Sequence, residues 1–280
     1  MRNEQGSIPV TKLLTLKESV RDALVDVEQF VARRARASVR PIYRNKGLRP
    51  EHLGSCSFLE VDGSDYLVTA AHVIDSHEQH TLFVGQRKFV GITLTFRSTV
   101  PPAGKRAKDK IDFAFAPLDD SWRRRGIEPI PVSALVERVK APLYSALGYP
   151  NSRNRKYNPV KGTVKPTARQ FISNPVEDPA AFAEIGLSPN VHLALRRDPK
   201  YALSRGTRVT PFEPRGMSGG MIFGLYGVQS PAVLAGLESP LVVPEAIVTE
   251  RSAKHKLLFG TRLSSIIDAI RRDVGASRQW

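Results

Sequence analysis

The sequence predicts an all-β body with one added helix at each end. Three observations predict this class: short apolar or alternating runs after Pro50, turn residues between those runs, and helical periodicity near both termini. The spacing of the runs is typical of a sandwich or barrel. They are CSFLEV, DYLVTAAHVI, HTLFVG, FVGITLTF, DFAFAPL, LYSALGY, GTVKPT, VHLALR, GMIFGL and AVLAGLES. The connection from Arg169 to Pro189 has little strand signal.

The two flanking helices follow from apolar residues three and four positions apart. In the first they are Leu16, Val20, Leu24, Val27 and Val31. Thr15 and Glu18 have capping-box spacing, so this basic amphipathic helix is expected over 15–37. Leu263, Ile266, Ile267 and Ile270 form the corresponding face of the closing helix.

The chain has 280 residues, 41% of them hydrophobic, and a formal net charge of +15. The excess lies in residues 1–50, with 11 basic and 5 acidic side chains, and in 151–220, with 12 and 5; 51–150 carry 12 of each. RARASVR at 34–40 and NSRNRK at 151–156 are the densest basic patches, and neither is interleaved with aromatic residues. Solvated surface charge, attraction of an acidic partner or substrate, and nucleic-acid binding as a secondary property all remain open.

Cysteine and histidine usage limits the chemistry. With only Cys56, no intramolecular disulfide or thiolate-rich zinc site can form. The histidines other than His72 lack ligand spacing, so neither a metal nor a cofactor is expected. No stretch reaches the roughly 18 apolar residues of a membrane span, and the first residues lack a secretory pattern. We expect a cytoplasmic protein with no membrane partner.

Three segments contain candidate catalytic residues. In DYLVTAAHVI, His72 follows a predicted strand among small residues, where an imidazole can be held in one orientation and exchange a proton near neutral pH. In KDKIDFAFAPL, Asp112 enters an apolar run and needs a hydrogen-bonded partner such as a histidine N–H. Asp109 is a nearby competitor, but its charged surroundings predict a solvated side chain.

The third segment is PRGMSGGMIFG, in which three glycines surround Ser218. A serine hydroxyl attacks a carbonyl only if a base removes its proton and donors receive the developing negative charge. The backbone N–H groups of Gly216 and Ser218 are candidate donors, and Gly219 and Gly220 are expected to let substrate and His72 approach closely. The alternative is a glycine-rich hairpin turn.

The order His72, Asp112, Ser218 occurs together with a barrel-like pattern. TAAHV, DFAFAPL and GMSGG resemble the motifs of chymotrypsin/trypsin-like serine peptidases, particularly the short bacterial forms, and ALGYP is similar to a segment that begins their second barrel. The resemblance covers about 50–270. It implies two six-stranded β-barrels with the site between them, and a division into an extension (1–49), a first barrel (50–140) and a second barrel with the closing helix (141–280).

The resemblance also implies roles for individual residues. His72 would be the general base, Asp112 its orienting partner and Ser218 the nucleophile, with Gly216 and Ser218 as the oxyanion hole. Met217 and Val73 stand where secreted animal enzymes have an aspartate and a disulfide cysteine, so their activation route is not expected. The candidate substrate-binding residues are Phe212, Glu213, Arg215, Leu237, Glu238 and Ser239.

These features predict an intracellular trypsin-like serine endopeptidase that acts on a protein or peptide substrate, and an acidic substrate is one candidate. Two alternatives are a catalytically latent binding protein with the same fold and a nucleic-acid-associated protein. Because the helix at 15–37 has no place in the minimal fold, we expect it to dock on a regulatory partner or on the barrel and control the site.

Overall fold

The structure, a computed structural model, describes most of the chain. It covers residues 16–47, 49–75, 77, 79–85, 89–132, 140–155, 157–158, 163–197, 203–204, 207–208 and 212–277. Thr15, the predicted helix cap, and Lys156, in one of the basic patches, lie outside the described residues.

The first sheet is formed by the N-terminal half. Its strands are β1 (Val39–Lys46), β2 (Arg49–Val61), β3 (Ser64–Thr69), β4 (Leu82–Gly85), β5 (Phe89–Ile92), β6 (Arg97–Ser98), β7 (Ala114–Pro117) and β8 (Ile130–Pro131). They follow the order β5-β4-β1-β2-β3-β7-β6, with β8 parallel to β2 and the other pairs antiparallel. Within the described residues, six of these strands have four or more residues and two have only two. The sheet begins at Val39, inside the segment assigned to the extension.

The second sheet is antiparallel and is formed by the C-terminal half. The strands of this half are β9 (Leu143–Gly148), β10 (Tyr157–Asn158), β11 (Thr163–Val164), β12 (Arg169–Ser173), β13 (His192–Arg196), β14 (Leu203–Ser204), β15 (Thr207–Arg208), β16 (Met221–Tyr226), β17 (Leu241–Ser252) and β18 (Leu257–Arg262). Six of them form the sheet, in the order β12-β9-β16-β17-β18-β13, while β10-β11 and β14-β15 are separate pairs.

Two of the sequence predictions for this half were wrong. The connection from 169 to 189 contains β12, which pairs with β9, and a short helix at Pro179–Glu184. The run AVLAGLES was expected to be a strand, but Pro231–Leu234 is helical. Pro231 occupies the first turn, and the Ser230 hydroxyl accepts the Val233 N–H, so local capping overrides the apolar pattern.

Helices flank and connect the two sheets. They are α1 (Leu16–Ser38), α2 (Ala71–Ile74), α3 (Ser121–Arg124), α4 (Asn151–Asn154), α5 (Pro179–Glu184), α6 (Pro231–Leu234) and α7 (Leu263–Ser277), with 3₁₀ turns at Pro102–Gly104 and Arg106–Lys108. No helix in the described part of the chain is long and apolar enough to cross a membrane.

The two terminal helices pack on a core shared by both sheets. Val27 and Val31 of α1 are fully buried there, together with Leu263 and Ile266 of α7. Burying each such side chain contributes on the order of 1.5–3 kcal/mol. The N-terminal helix therefore docks on the barrels themselves. The predicted fold class, an all-β body of the chymotrypsin-like two-barrel type with a helix at each end, is confirmed. Among the described residues, however, the first sheet has eight strands where six were expected, and the second has six.

Candidate active site

His72 lies on the short helix α2, directly after β3. Ala70 and Ala71 beside it are fully buried, so their small side chains fit α2 closely against the first sheet. The imidazole itself is 39% exposed and borders a cleft between the two sheets. The local sequence thus fixes the backbone of His72 and leaves its ring open to the cleft.

Asp112 is joined to His72 by two hydrogen bonds. Its Oδ2 accepts from His72 Nδ1 at 2.6 Å and its Oδ1 accepts the His72 backbone N–H at 3.0 Å. The Asp112 carbonyl also accepts the Ala71 N–H at 3.2 Å. Because Nδ1 is the donor, the neutral imidazole has its acceptor at Nε2.

The surroundings of His72 favour its protonated form. Burial by itself lowers the pKa of His72, but the hydrogen bond and charge of Asp112 oppose it, with smaller contributions from Asp75 and Glu250. The pKa of His72 is therefore raised above its ordinary value. Such an imidazole holds a proton well once it has taken it from a nearby group.

Asp109 is buried, and the prediction that it is solvated was wrong. It is 7% exposed, and its Oδ1 accepts the backbone N–H groups of Ile111 and Asp112 at 3.1 and 3.0 Å. Its Oδ2 accepts from Arg106 Nη1 at 2.8 Å. Despite the cost of burial, these donors hold the pKa of Asp109 below its usual range. Asp109 thus braces the loop in which Asp112 takes a φ of +36°.

Ser218 lies in the turn before β16 and borders the same cleft as His72. Its backbone carbonyl accepts the Ser55 N–H of β2 at 2.7 Å, which ties the turn to the first sheet. Its Oγ donates to the Thr249 carbonyl at 3.1 Å. Among the described residues, no hydrogen bond links this hydroxyl to His72.

Gly219 and Gly220 are needed for close packing of the backbone, and they do not open space for a substrate. A Cβ on Gly219, whose φ is +84°, would overlap the Ser55 carbonyl, and a Cβ on Gly220 would overlap the Leu147 carbonyl. The space that was expected to admit substrate and His72 is filled by the protein's own backbone. These glycines let the Ser218 turn pack tightly between the two sheets.

The Arg215–Gly216 peptide has a defined orientation. The Arg215 carbonyl accepts the Asn151 N–H at 2.7 Å, and Gly216 has a φ of +93°. Because a trans peptide points its N–H opposite its carbonyl, the Gly216 N–H points away from this bond. Among the residues that the structure describes, neither the Gly216 nor the Ser218 N–H donates to a protein acceptor. Both donors are therefore available.

The cleft beside Ser218 has a volume of about 910 Å³. Arg215, a predicted substrate-binding residue, lines it. Phe212 is half-buried in an apolar cluster and Glu213 pairs with Arg251 Nη1 at 2.9 Å. This ion pair neutralises the Glu213 carboxylate and so weakens any attraction that Glu213 would exert on a basic substrate.

The other predicted substrate segment lies elsewhere. Leu237, Glu238 and Ser239 follow α6 in a turn where Leu237 is 80% exposed, and none of the three is among the residues that line the cleft. Residues 248–251 of β17 instead border the cleft together with Ser218. The motif AVLAGLES misled the prediction because β17 begins later than its apolar run suggests.

Met217 shows how this turn is anchored without a charged partner. Its side chain is fully buried in an apolar cluster that includes Leu193 and Ile222. Apolar packing therefore holds the residue before Ser218.

The cleft carries more positive than negative charge. Arg49, Arg155 and Arg215 line it, and within the described residues none of them forms an ion pair with a carboxylate. Of the acidic residues there, Glu51 pairs with Arg44 and Lys46, and Glu250 pairs with Lys110. The described residues contain no cluster of three or more potential metal ligands.

Comparison with known proteins gives similarity to solved structures alone. No family model and no curated protein sequence matches the chain. The serine protease domain of the Sesbania mosaic virus polyprotein is 15% identical, with 83% of this chain and 91% of that chain covered and a TM-score of 0.46. A chain from a study of the folding and binding of the disordered Sesbania mosaic virus VPg protein is 16% identical (84% and 90% covered, TM-score 0.46). A thermostable serine protease from an extremophilic microorganism is 13% identical (82% and 92% covered, TM-score 0.44).

Proposed function

We propose that the protein is an intracellular serine endopeptidase, trypsin-like in its fold and in its use of His72, Asp112 and Ser218. The observation that carries this proposal is the His72–Asp112 hydrogen bond of 2.6 Å, made at the edge of a cleft that Ser218 also lines. A free, buried Cys56 supports a reducing environment.

The reaction begins with a rotation of the Ser218 side chain. The hydroxyl leaves the Thr249 carbonyl and turns toward His72 Nε2, which takes its proton as the oxygen attacks the scissile carbonyl carbon. Asp112 keeps Nδ1 protonated and stabilises the imidazolium. The negative oxygen of the tetrahedral intermediate accepts the N–H groups of Gly216 and Ser218.

The intermediate then collapses in two stages. His72 gives its proton to the leaving amine, the peptide C–N bond breaks, and the acyl group stays on Ser218. In the second stage a water molecule attacks the acyl carbon and gives a proton to His72. The acyl C–O bond to Ser218 then breaks, His72 returns the proton to Ser218 Oγ, and the carboxylic acid product leaves. No cofactor is needed because every proton passes through His72.

The substrate we propose is an acidic peptide segment. Arg49, Arg155 and Arg215 line the cleft without carboxylate partners in the described part of the chain, so an acidic segment gains charge complementarity there. Arg251 contributes less because Glu213 neutralises it.

The activity is tested with a fluorogenic peptide library that contains both acidic and basic members. We expect the wild-type protein and Ser64→Ala, a change at an exposed serine, to cleave the same peptides, and Ser218→Ala to cleave none above background. Equal cleavage by the wild type and Ser218→Ala would reject Ser218 as nucleophile.

The substrate preference is tested separately. Arg49→Ser should lower kcat/KM for acidic peptides severalfold and leave that for neutral peptides unchanged, with Arg272→Ser on the exposed side of α7 as control. A preference for basic peptides that Arg49→Ser does not alter would contradict the acidic-substrate proposal.

A latent protein is the second candidate function. The observation that favours it is the bond from Ser218 Oγ to the Thr249 carbonyl, which holds the hydroxyl away from His72. Control by α1 through direct blocking of the cleft has no support, since none of the α1 side chains that the structure describes lines the cleft. In a latent protein, wild type and Ser218→Ala would both be inert toward the library and toward serine-reactive probes, yet would bind the same peptides.

Nucleic-acid binding has one supporting feature. A second groove, of about 1060 Å³, is lined by Arg40, Arg125, Lys165 and Arg169, and its described lining includes no acidic residue. Affinity for RNA that falls steeply with salt and weakens in Arg169→Glu would support this secondary property. Salt-independent or absent binding would remove it.

A further inference from the structure

His52 and Asn151 form a buried pair at the wall of the cleft. His52, on β2, is 5% exposed, and its Nδ1 lies 2.5 Å from Asn151 Oδ1. The amide oxygen can only accept, so Nδ1 is the donor. The Tyr43 ring packs edge-on against His52, with ring centroids 5.2 Å apart. The first sheet thus holds the Asn151 side chain through a single directed hydrogen bond.

Asn151 in turn contacts the loop before Ser218 at two points. Its backbone N–H donates to the Arg215 carbonyl at 2.7 Å. Its Oδ1 lies so close to Gly216 that a Cβ built on Gly216 would overlap it. One residue therefore receives a hydrogen bond from His52 and fixes the Arg215–Gly216 peptide.

The orientation of this peptide decides whether the site has two oxyanion donors or one. With the Arg215 carbonyl bound to Asn151, the Gly216 N–H points the opposite way and is free of protein acceptors within the described residues. A rotation of the peptide by about 180° would exchange the two groups. Because a carbonyl would then repel the developing oxyanion, the site would lose one of its two N–H donors.

We propose that His52 and Asn151 are positioning residues that hold the Arg215–Gly216 peptide in the orientation that supplies the oxyanion donor. The catalytic consequence of this positioning rests on the proposed peptidase function, whereas the orientation of the peptide does not depend on that function. Neither residue touches the reacting atoms in this proposal.

The protonation state of His52 suits this role. Burial is the largest influence and lowers the pKa of His52 to about 4, and the charge of Arg155 acts in the same direction. The interactions of the imidazole with Asn151 Oδ1 and with the Gly54 backbone oppose this lowering only in part. Its Nε2 is buried and has no hydrogen-bond partner in the described part of the protein. A second proton there would be an unpaired buried charge, so His52 remains a neutral Nδ1 donor near neutral pH.

The test compares two substitutions at one position. His52→Leu removes the donor and keeps an apolar side chain, while His52→Asn keeps an N–H donor close to the position of Nδ1. The rate of Ser218 modification by a fluorophosphonate is separated into the maximal rate and the concentration for half that rate. Crystal structures of the wild type and both variants give the peptide orientation directly.

We expect His52→Leu to lower the maximal labelling rate about 100- to 1000-fold, with less than a threefold change in half-saturating concentration, because losing an oxyanion donor costs about that much in turnover. His52→Asn should recover to within about threefold. The Asn151 N–H to Arg215 carbonyl bond should be absent in His52→Leu and present in His52→Asn.

Two results would overturn the inference. One is a His52→Leu structure in which the Arg215–Gly216 peptide keeps its wild-type orientation, whatever the labelling rate. The other is a folded His52→Leu protein in which this peptide has turned but the maximal labelling rate is unchanged. If the wild type is not labelled at all, the proposed function fails, and the crystal structures alone decide the positioning role. The positioning role is then supported if the Arg215–Gly216 peptide is turned in His52→Leu and has its wild-type orientation in His52→Asn.

Discussion

The two halves of the candidate site are held by different kinds of interaction. On the first sheet, buried carboxylates and an arginine fix the candidate base, His72: Asp112 accepts a hydrogen bond from His72, and Asp109 accepts from Arg106 and from the Asp112 N–H. On the second sheet, backbone hydrogen bonds and positive-φ glycines fix the turn around Ser218. The contrast teaches that the position of His72 depends on charged groups, whereas the position of Ser218 depends on close backbone contact.

The largest effect should come from the charged half. In Asp112→Asn the amide no longer provides a carboxylate acceptor for His72 Nδ1, so the imidazole loses its required tautomer, and kcat should fall about 10⁴-fold. Steady-state kinetics measure this, with Asp268→Asn on an exposed face of α7 as control. A loss of less than tenfold would mean that Asp112 does not orient His72.

The backbone-built half should respond through stability. Gly219→Ala places a Cβ into the Ser55 carbonyl at a φ of +84°, so we expect a loss of several kcal/mol in the free energy of unfolding. Gly275→Ala, in α7 with open space around it, should be neutral or stabilising by less than about 1 kcal/mol. Denaturant unfolding of both variants decides the matter. Equal stabilities would show that the Ser218 turn is not tightly packed.

The charged groups around His72 also predict how kcat/KM depends on pH. The base must be neutral to accept a proton, and the pKa of His72 is raised, so kcat/KM should rise with pH through a pKa above 6.5. Glu250→Gln removes a negative charge that stabilises the imidazolium, so the rise should shift to lower pH. The distant change Glu184→Gln should leave the pH profile where it is, and a shift to higher pH in Glu250→Gln would contradict the electrostatic assignment.

The smallest effect is expected on α1, outside both halves of the site. Phe30 is 41% exposed, so Phe30→Ser should change the free energy of unfolding by no more than about 0.5 kcal/mol and leave peptide cleavage unaltered. Retained stability with altered cleavage would indicate that α1 controls the site, as the sequence led us to expect.

The sequence predicted most of the fold because its signals are local. Strand runs, the two terminal helices and the candidate residues His72, Asp112 and Ser218 are each visible within about ten residues. The errors arose where three-dimensional packing decides. Asp109 looked solvated because its neighbours in sequence are charged, yet the loop folds so that Thr99 and Arg106 donate hydrogen bonds to its carboxylate and the side chain is buried.

The supporting residues could not be predicted for the same reason. His52 and Asn151 are 99 positions apart, and neither is part of a recognisable motif. Thr249 is identified as a neighbour of Ser218 only by the pairing of β17 with β16. The motif ALGYP ends at Pro150, and Asn151 is the next residue, so the motif did not include the residue that positions the Arg215–Gly216 peptide.

The most direct test of the central claim, that His72 activates Ser218, is intact-mass and peptide-mapping analysis after exposure to a fluorophosphonate. We predict one adduct per wild-type chain, located on Ser218, no adduct in Ser218→Ala, and labelling at least 100-fold slower in His72→Ala. An adduct on another residue, or equal labelling of the wild type and His72→Ala, would contradict the claim.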